Sequence, residues 1–288
     1  MKKDIHRIRT LLEKLYLKYN RPELIKPDPL QFVYQYTDAG DREVAGFLSA
    51  ALAYGRVEQI EKSLNSLFAR MGDSPYEFVK NFDKTRIRRL KDFKHRFTSG
   101  DDIADLLELL REVFRRYGSI ETFFMQGYDP SDRNLIGALR QFCYSLYVIH
   151  TAKHGRTVSP GLAYLLVSPA KGSACKRLNL FLRWMVRHDD VDPGLWKSVN
   201  KDKLIVPVDV HIARLCKILG LYHRKTVSLS AALEITENFA RIQPEDPVKY
   251  DFALSRIGIL EDCNGRYRGR CEVCELFEYC LERKDWGK

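Results

Sequence analysis

No apolar run in the chain is long enough to cross a bilayer; the longest, such as GLAYLLV at 161–167, falls far short of the roughly 20 residues a spanning helix needs. The start, MKKDIHRIRT, is basic but no apolar stretch follows it, so neither secretion nor membrane insertion is expected. Internal repeats and Gly/Ser-rich or Pro-rich linkers are absent, which leaves the 288 residues no obvious point of division. Sustained apolar–polar alternation is missing as well, and its absence argues against a sheet-based fold. The Rossmann fingerprint, the Walker A loop, the G-x-S-x-G elbow and the H-E-x-x-H zinc helix are all lacking, which disfavours the commonest dehydrogenase, NTPase, esterase and metalloprotease classes. Acidic charge is the scarcer sign: 38 Asp and Glu against 48 Lys and Arg give a formal net charge of +10. That balance favours attraction to a polyanion, although a basic surface with no nucleic-acid partner fits charge alone equally well.

What the chain does have is helical periodicity. Residues 5–19 place Ile5, Ile8, Leu12, Leu15 and Tyr19 on one face. Residues 43–54 read as a largely buried helix, followed by an amphipathic stretch through Leu67. Asp101 is the expected cap of the helix carrying Ile103, Leu106, Leu107, Leu110 and Phe114, and Asp132 that of the helix running toward His150. Further helices are expected over about 175–187, 210–219, 229–241 and 247–257. The fold class is therefore all-α, with turns at 155–161 and 168–173.

The basic charge is unevenly spread. KTRIRRLKDFKHR holds Lys84, Arg86, Arg88, Arg89, Lys91, Lys94 and Arg96, a run that can meet phosphates without reading bases. Cysteine is uneven too. Seven is an odd number for a disulfide framework, and four of the seven, Cys263, Cys271, Cys274 and Cys280, crowd into one short segment with spacing C-x7-C-x2-C-x5-C. Four thiolates so placed suit a metal in a cytoplasmic protein, either zinc or a 4Fe–4S cluster. A zinc site more often uses two short knuckles, whereas only Cys271 and Cys274 form one here; the asymmetric wrapping favours the cluster. Arg266, Arg268 and Arg270 lie inside or at the edge of the first loop, where a folded metal site would present them to phosphate.

Asp209 follows the apolar run LIVPV and precedes IARLCKILGL, whose Ile212, Leu215, Cys216 and Leu219 repeat at helical spacing. It is therefore expected at a helix N-terminus, where free backbone amides keep a carboxylate ionised. Alone, that position describes an ordinary cap as well as a catalyst, and His211 on the first turn reads as a packing residue.

Together these segments resemble a known superfamily. VDVHIARLCKILGL is similar to the V-D-T-H-x-x-R-V-x-x-R-L-G segment of helix-hairpin-helix DNA glycosylases related to endonuclease III, and the cysteines are similar to their iron–sulfur loop, which has one residue fewer in its first interval. Within that superfamily GSACKRLNLFLRWMVR and DPVKYDFAL most resemble the bacterial DUF2400 family. The resemblance implies two interleaved helical lobes over residues 1–260 with double-stranded, damaged or distorted DNA crossing between them, and a four-Cys loop at 261–288 packed on the helices. It implies Asp209 as the catalytic carboxylate, His211 and Arg214 as site support, and Cys263, Cys271, Cys274 and Cys280 as cluster ligands.

Three departures matter. The family hairpin L-P-G-V-G-x-K-T-A is replaced by SPAKGSACKRLNLF, so Lys176 stands 33 residues before Asp209, an interval similar to that of archaeal 8-oxoguanine glycosylases. Ala51 occupies the place of a glutamine that fills the gap left by a flipped base, and Val210 replaces a threonine. On this resemblance the chain is expected to be a DNA glycosylase with possible AP-lyase activity, Lys176 its nucleophile, activated by burial and by cations such as Arg177, and Lys171 the rival nucleophile. The alternatives are a DNA-structure-binding protein that has lost base excision, and a zinc-stabilised RNA-binding protein using Tyr144, Tyr147, Trp184 and Trp196 as stacking platforms.

Overall fold

The computed structural model describes residues 5–260, 263 and 269–280, with the side chains of Leu260 and Arg270 left out. Thirteen α-helices and one minimal hairpin are described. The first helix, α1 (Ile5–Tyr19), buries Ile8, Leu11, Leu12, Leu15 and Tyr19, the expected stripe with Leu11 in place of the exposed Ile5. It packs against α12 (Leu229–Ile242) and α13 (Asp251–Leu260), and α13 in turn packs on α11 (Val210–Ile218). These four helices form one lobe.

The other lobe is the continuous stretch between them. It comprises α2 (Ala39–Ala51), α3 (Val57–Met71), α4 (Pro75–Lys80), α5 (Lys84–Leu90), α6 (Gly100–Tyr117), α7 (Ile120–Phe124), α8 (Ile136–His154), α9 (Pro160–Leu165) and α10 (Lys176–Val186). Within it α6 is the hub, contacting α4, α5, α7, α8 and α9, while α2 packs along α10. None of these helices is long and apolar enough to cross a membrane.

Short polar side chains set most starts. Asp38 accepts from Gly40 N and Asp41 N at the head of α2, and Ser74, Asp83, Ser119 and Ser159 cap α4, α5, α7 and α9. Two expected caps are corrected. Ser99, not Asp101, begins α6: Ser99 and Asp102 bond each other's backbone N–H reciprocally, which a serine with an acid three residues on can do and Asp101 cannot. Asp132 is likewise too early, because α8 starts at Ile136, whose N–H is taken by Asn134 Oδ1. Gly155, with φ 62°, ends α8 in the left-handed region that a side chain disfavours.

Among the described residues the fold is all-α apart from β1 (Lys94–His95) paired antiparallel with β2 (Thr98–Ser99) and an isolated bridge between His188 and Pro193. The hairpin interrupts the basic run, and Arg96 at its tip has φ 53°. Three of the four aromatic residues considered as RNA platforms are structural. Trp184 and Trp196 are buried, Trp196 donating to Glu43 Oε1, and Tyr147 donates to Leu166 O; only Tyr144 is exposed.

Candidate functional site at the interlobe cleft

The buried run Leu204–Val208 leads out of the core and delivers Asp209 as the N-cap of α11. Its Oδ1 accepts from His211 N and Ile212 N at 2.9 and 3.0 Å, which fixes the carboxylate and leaves Oδ2 free to face the other lobe. Across from it, Lys176 opens α10 directly after Cys175, whose φ of 48° turns the chain sharply. Lys176 Nζ stands 3.4 Å from Asp209 Oδ2, with each side chain about a third exposed, at 34% and 31%. Two residues 33 positions apart in sequence thus meet across the lobes.

Both line a cleft of about 410 Å³ formed by Pro27–Pro29, Ala53–Val57, the first turns of α10 and α11, and α13. His211 lines it as well. Arg214 does not; its Nη1 donates to Cys263 O at 3.1 Å, tying α11 to the first cysteine of the terminal segment. Lys171 is exposed in a turn at Pro169–Lys171 and is absent from the lining. Nor does Arg177 activate Lys176 as expected. Its buried guanidinium donates to Ala51 O and Tyr164 O and lies over the Tyr54 and Tyr164 rings, because α10 turns successive side chains to different faces. The neighbour of Lys176 is a carboxylate instead.

One cleft residue escaped sequence reasoning. Asp251, in the first turn of α13, is buried at the cleft wall, and Arg183 Nη1 donates to its Oδ2 at 2.5 Å while Oδ1 has no hydrogen-bond partner. Burial raises its pKa to about 6; Arg183 opposes the rise and the charge of Asp209 adds to it. A carboxyl poised between its two protonation states near neutrality, close to a second carboxyl group, is a candidate acid–base group. The signal in the sequence was DPVKYDFAL, visible as a motif but silent about burial.

The cleft wall belongs to a larger buried network. Arg183 Nε and Nη2 hold Asp192 Oδ1 at 3.2 and 3.1 Å, and Arg187 joins Asp192, Asp189 and Asp246. Tyr16 of α1 donates to Asp189. This network stitches α10 to α1 and α13 behind the cleft.

At the rim, Gly55 (φ 100°) lets the Arg96 side chain lie against the backbone, where a Cβ would come within 2.8 Å of Arg96 Cδ. Phe97 beside it is 64% exposed, stacked on Tyr54 with ring centroids 6.0 Å apart, and edge-on to Tyr164. Ala51, by contrast, is buried and fills no gap. Of the basic run, Lys84, Arg88, Arg89, Lys91, Lys94 and Arg96 are exposed and Arg86 is half-buried. Arg266 and Arg268, and the side chain of Arg270, lie outside the described residues.

Cys263, Cys271, Cys274 and Cys280 are half-buried, and Cys263, Cys274 and Cys280 pack against the edge of the core. Backbone bonds from Cys274 N to Cys271 O, Phe277 N to Cys274 O and Cys280 N to Phe277 O wind three of them along consecutive turns. Among the described residues, the donor atoms gathered within 4.8 Å of one another are those of Asp105, His150 and His154, a possible metal-coordinating group on α6 and α8; the four sulfurs are not so gathered.

Residues 28–260 match the profile of the family described as "Protein of unknown function (DUF2400)". No curated protein and no solved structure matches the chain. The matched span takes in Lys176, Asp209 and Asp251 and stops short of the four clustered cysteines; the chain belongs to the DUF2400 family.

Proposed function

We propose that the protein is a DNA repair glycosylase that excises a damaged base from double-stranded DNA, with an AP-lyase step carried by the same lysine. The observation that carries this reading is the Lys176–Asp209 pair at 3.4 Å, built from two lobes at the mouth of the cleft. Duplex DNA would lie along the rim on the exposed cations of the basic run, and the target nucleotide would turn out of the stack into the cleft. Phe97, exposed beside Arg96, offers a flat ring to the bases left behind, a role Ala51 is too small and too buried to take.

Asp209 Oδ2 accepts a proton from the Lys176 ammonium, and the freed amine attacks the sugar C1′. The bond to the base breaks, and the base leaves with that electron pair and the proton Asp209 took up. As it hands that proton to the leaving base, the Asp209 carboxylate regains its charge opposite the sugar and stabilises the positive charge that develops there. Opening of the sugar ring, in which a proton passes from Nζ to O4′, gives an iminium between C1′ and Nζ, and loss of a C2′ proton to the Asp209 carboxylate then expels the 3′ phosphate. His211 lines the same wall, within the turn that Asp209 caps.

Cys263, Cys271, Cys274 and Cys280 would hold the 4Fe–4S cluster. The donor set is all thiolate, and the sequence spacing C-x7-C-x2-C-x5-C, with a single short knuckle at Cys271 and Cys274, suits a four-iron cubane better than the two knuckles usual for zinc. The role supported here is structural, since Arg214 couples the segment to α11 and hence to Asp209.

The test is product analysis on a panel of lesion-bearing duplexes, with borohydride trapping. Released base and a covalent adduct that disappears in Lys176→Ala are expected. An adduct that survives Lys176→Ala would reject this nucleophile, and tight lesion binding with no base released from any duplex would leave a DNA-structure-binding protein instead. Binding itself should be salt-sensitive. Replacing the exposed Lys84, Arg88 and Arg89 together by alanine should flatten the slope of log affinity against log salt by about 2–3, with similar losses on all duplexes. An unchanged slope would move the DNA off this face.

A further inference from the structure

We infer that α6 and α8 hold a divalent transition-metal ion on Asp105, His150 and His154, with Glu108 beside it as a fourth donor. This site stands apart from both the cleft and the cysteines, and it requires neither.

His150 and His154 lie one turn apart on α8, which sets their rings 4.6 Å apart and tilted by 34° on the face turned to α6. Asp105 and Glu108, three apart on α6, face them in register. His150 Nε2 stands 3.5 Å from Asp105 Oδ2, and His154 Nε2 stands 3.2 Å from Glu108 Oε2. The donor atoms of Asp105, His150 and His154 all fall within 4.8 Å of one another.

The second observation concerns His150 by itself. Its side chain is 0% exposed, and neither ring nitrogen has a hydrogen-bond partner. Burying an imidazole with both nitrogens unsatisfied is costly, and a buried polar group left in that state calls for something that satisfies it. A metal ion on Nε2, the nitrogen that faces Asp105, satisfies that one. Glu108 Oε2 is buried beside it, in ion-pair contact with Lys153 and His154.

Two imidazoles and one or two carboxylates, with no thiolate, suit zinc and its neighbours cobalt and nickel, and disfavour magnesium and calcium. A tetrahedral ion with bonds of about 2.0–2.1 Å holds its donors roughly 3.3 Å apart, so the three side chains close by about an ångström on loading. The neighbouring cations can yield. Lys153 Nζ, 3.1 Å from Glu108 Oε2, and Arg156 Nη2, 3.3 Å from Asp105 Oδ2, are respectively 27% and 56% exposed and have solvent to swing into. Asp105 and His154, at 16% and 22%, give the ion its way in. Once bound, it pins the last two turns of α8 to the hub helix.

Cobalt(II) is the probe, added to metal-stripped full-length protein, because cobalt on imidazole and carboxylate shows visible ligand-field bands, whereas cobalt on cysteine also shows an intense near-ultraviolet charge-transfer band. One equivalent free of the thiolate band is expected, displaced by zinc, and accompanied by a rise in the thermal midpoint. His154→Gln and Asp105→Asn, both at partly exposed positions that spare the buried His150, should each lose that equivalent while keeping the helical circular dichroism. No uptake, or uptake showing only the thiolate band, or uptake unchanged in both variants, would overturn the site.

Discussion

Arg183→Met is expected to lower the unfolding free energy by about 3–5 kcal/mol, read as a shift of the urea midpoint, because it leaves buried carboxylates without their counter-charge. Methionine fills much of the arginine's volume, so the loss reports charge rather than a cavity. Asp192 and Asp251 are both buried around Arg183. Arg187 still reaches Asp192, which leaves Asp251 the more exposed to the change. The pH dependence follows from the sign of its shift. Asp251 binds its proton more tightly folded, with a pKa of about 6, than at its ordinary value of 3.8. Its contribution to stability is therefore complete below about pH 4 and is lost as pH rises through about 6. A protonated Asp251 needs no arginine, so the penalty of Arg183→Met should shrink as pH falls from 7 toward 5. A loss below about 1 kcal/mol at pH 7, the range of an exposed pair, would show that this network does not hold the lobes.

The second large effect is on chemistry. Asp209→Asn should slow base release by about 10²–10⁴-fold, the usual contribution of a positioned acid–base group, while lesion binding and thermal midpoint hardly change. The reason lies in the division of labour between its two oxygens. An asparagine amide oxygen still accepts from His211 N and Ile212 N, so α11 keeps its cap. Only the group facing Lys176 changes, from an acceptor with charge to an amide that cannot take a proton. Single-turnover release at an unaltered rate would remove Asp209 from the reaction.

Local periodicity made most of the helices legible: α10, α11 and α12 begin and end within one residue of where apolar spacing puts them. The cap at Asp209 was readable for the same reason, since a short acidic residue before an apolar repeat has few other uses. That α13 begins at Asp251 rather than near 247 was not, because Pro247 and the turn after it are compatible with a helix start. The meeting of Lys176 with Asp209 needed a long-range packing that no window of sequence contains, and the resemblance to glycosylases supplied it. Where neither source applied, the reading failed. Arg177 is adjacent to Lys176 in sequence and turned away from it in space, and the burial that alters the proton affinity of Asp251 is set where α13 packs on α1 and α11, far from it in sequence.

Helix α1 has its partners more than 200 residues further along the chain. Glu13 on α1 is bound by Lys249 Nζ and Tyr250 Oη just ahead of α13, and the apolar face of α1 is covered by α12 and α13. During synthesis at about 5–20 residues per second, Tyr19 is made some 210 residues ahead of Leu229, so α1 waits roughly 10–40 s for its cover. In that interval Ile8, Leu11, Leu12 and Leu15 stay open to other chains. The open face of α1 is thus an aggregation hazard in the nascent protein, and its cover depends on helices made some 210 residues later.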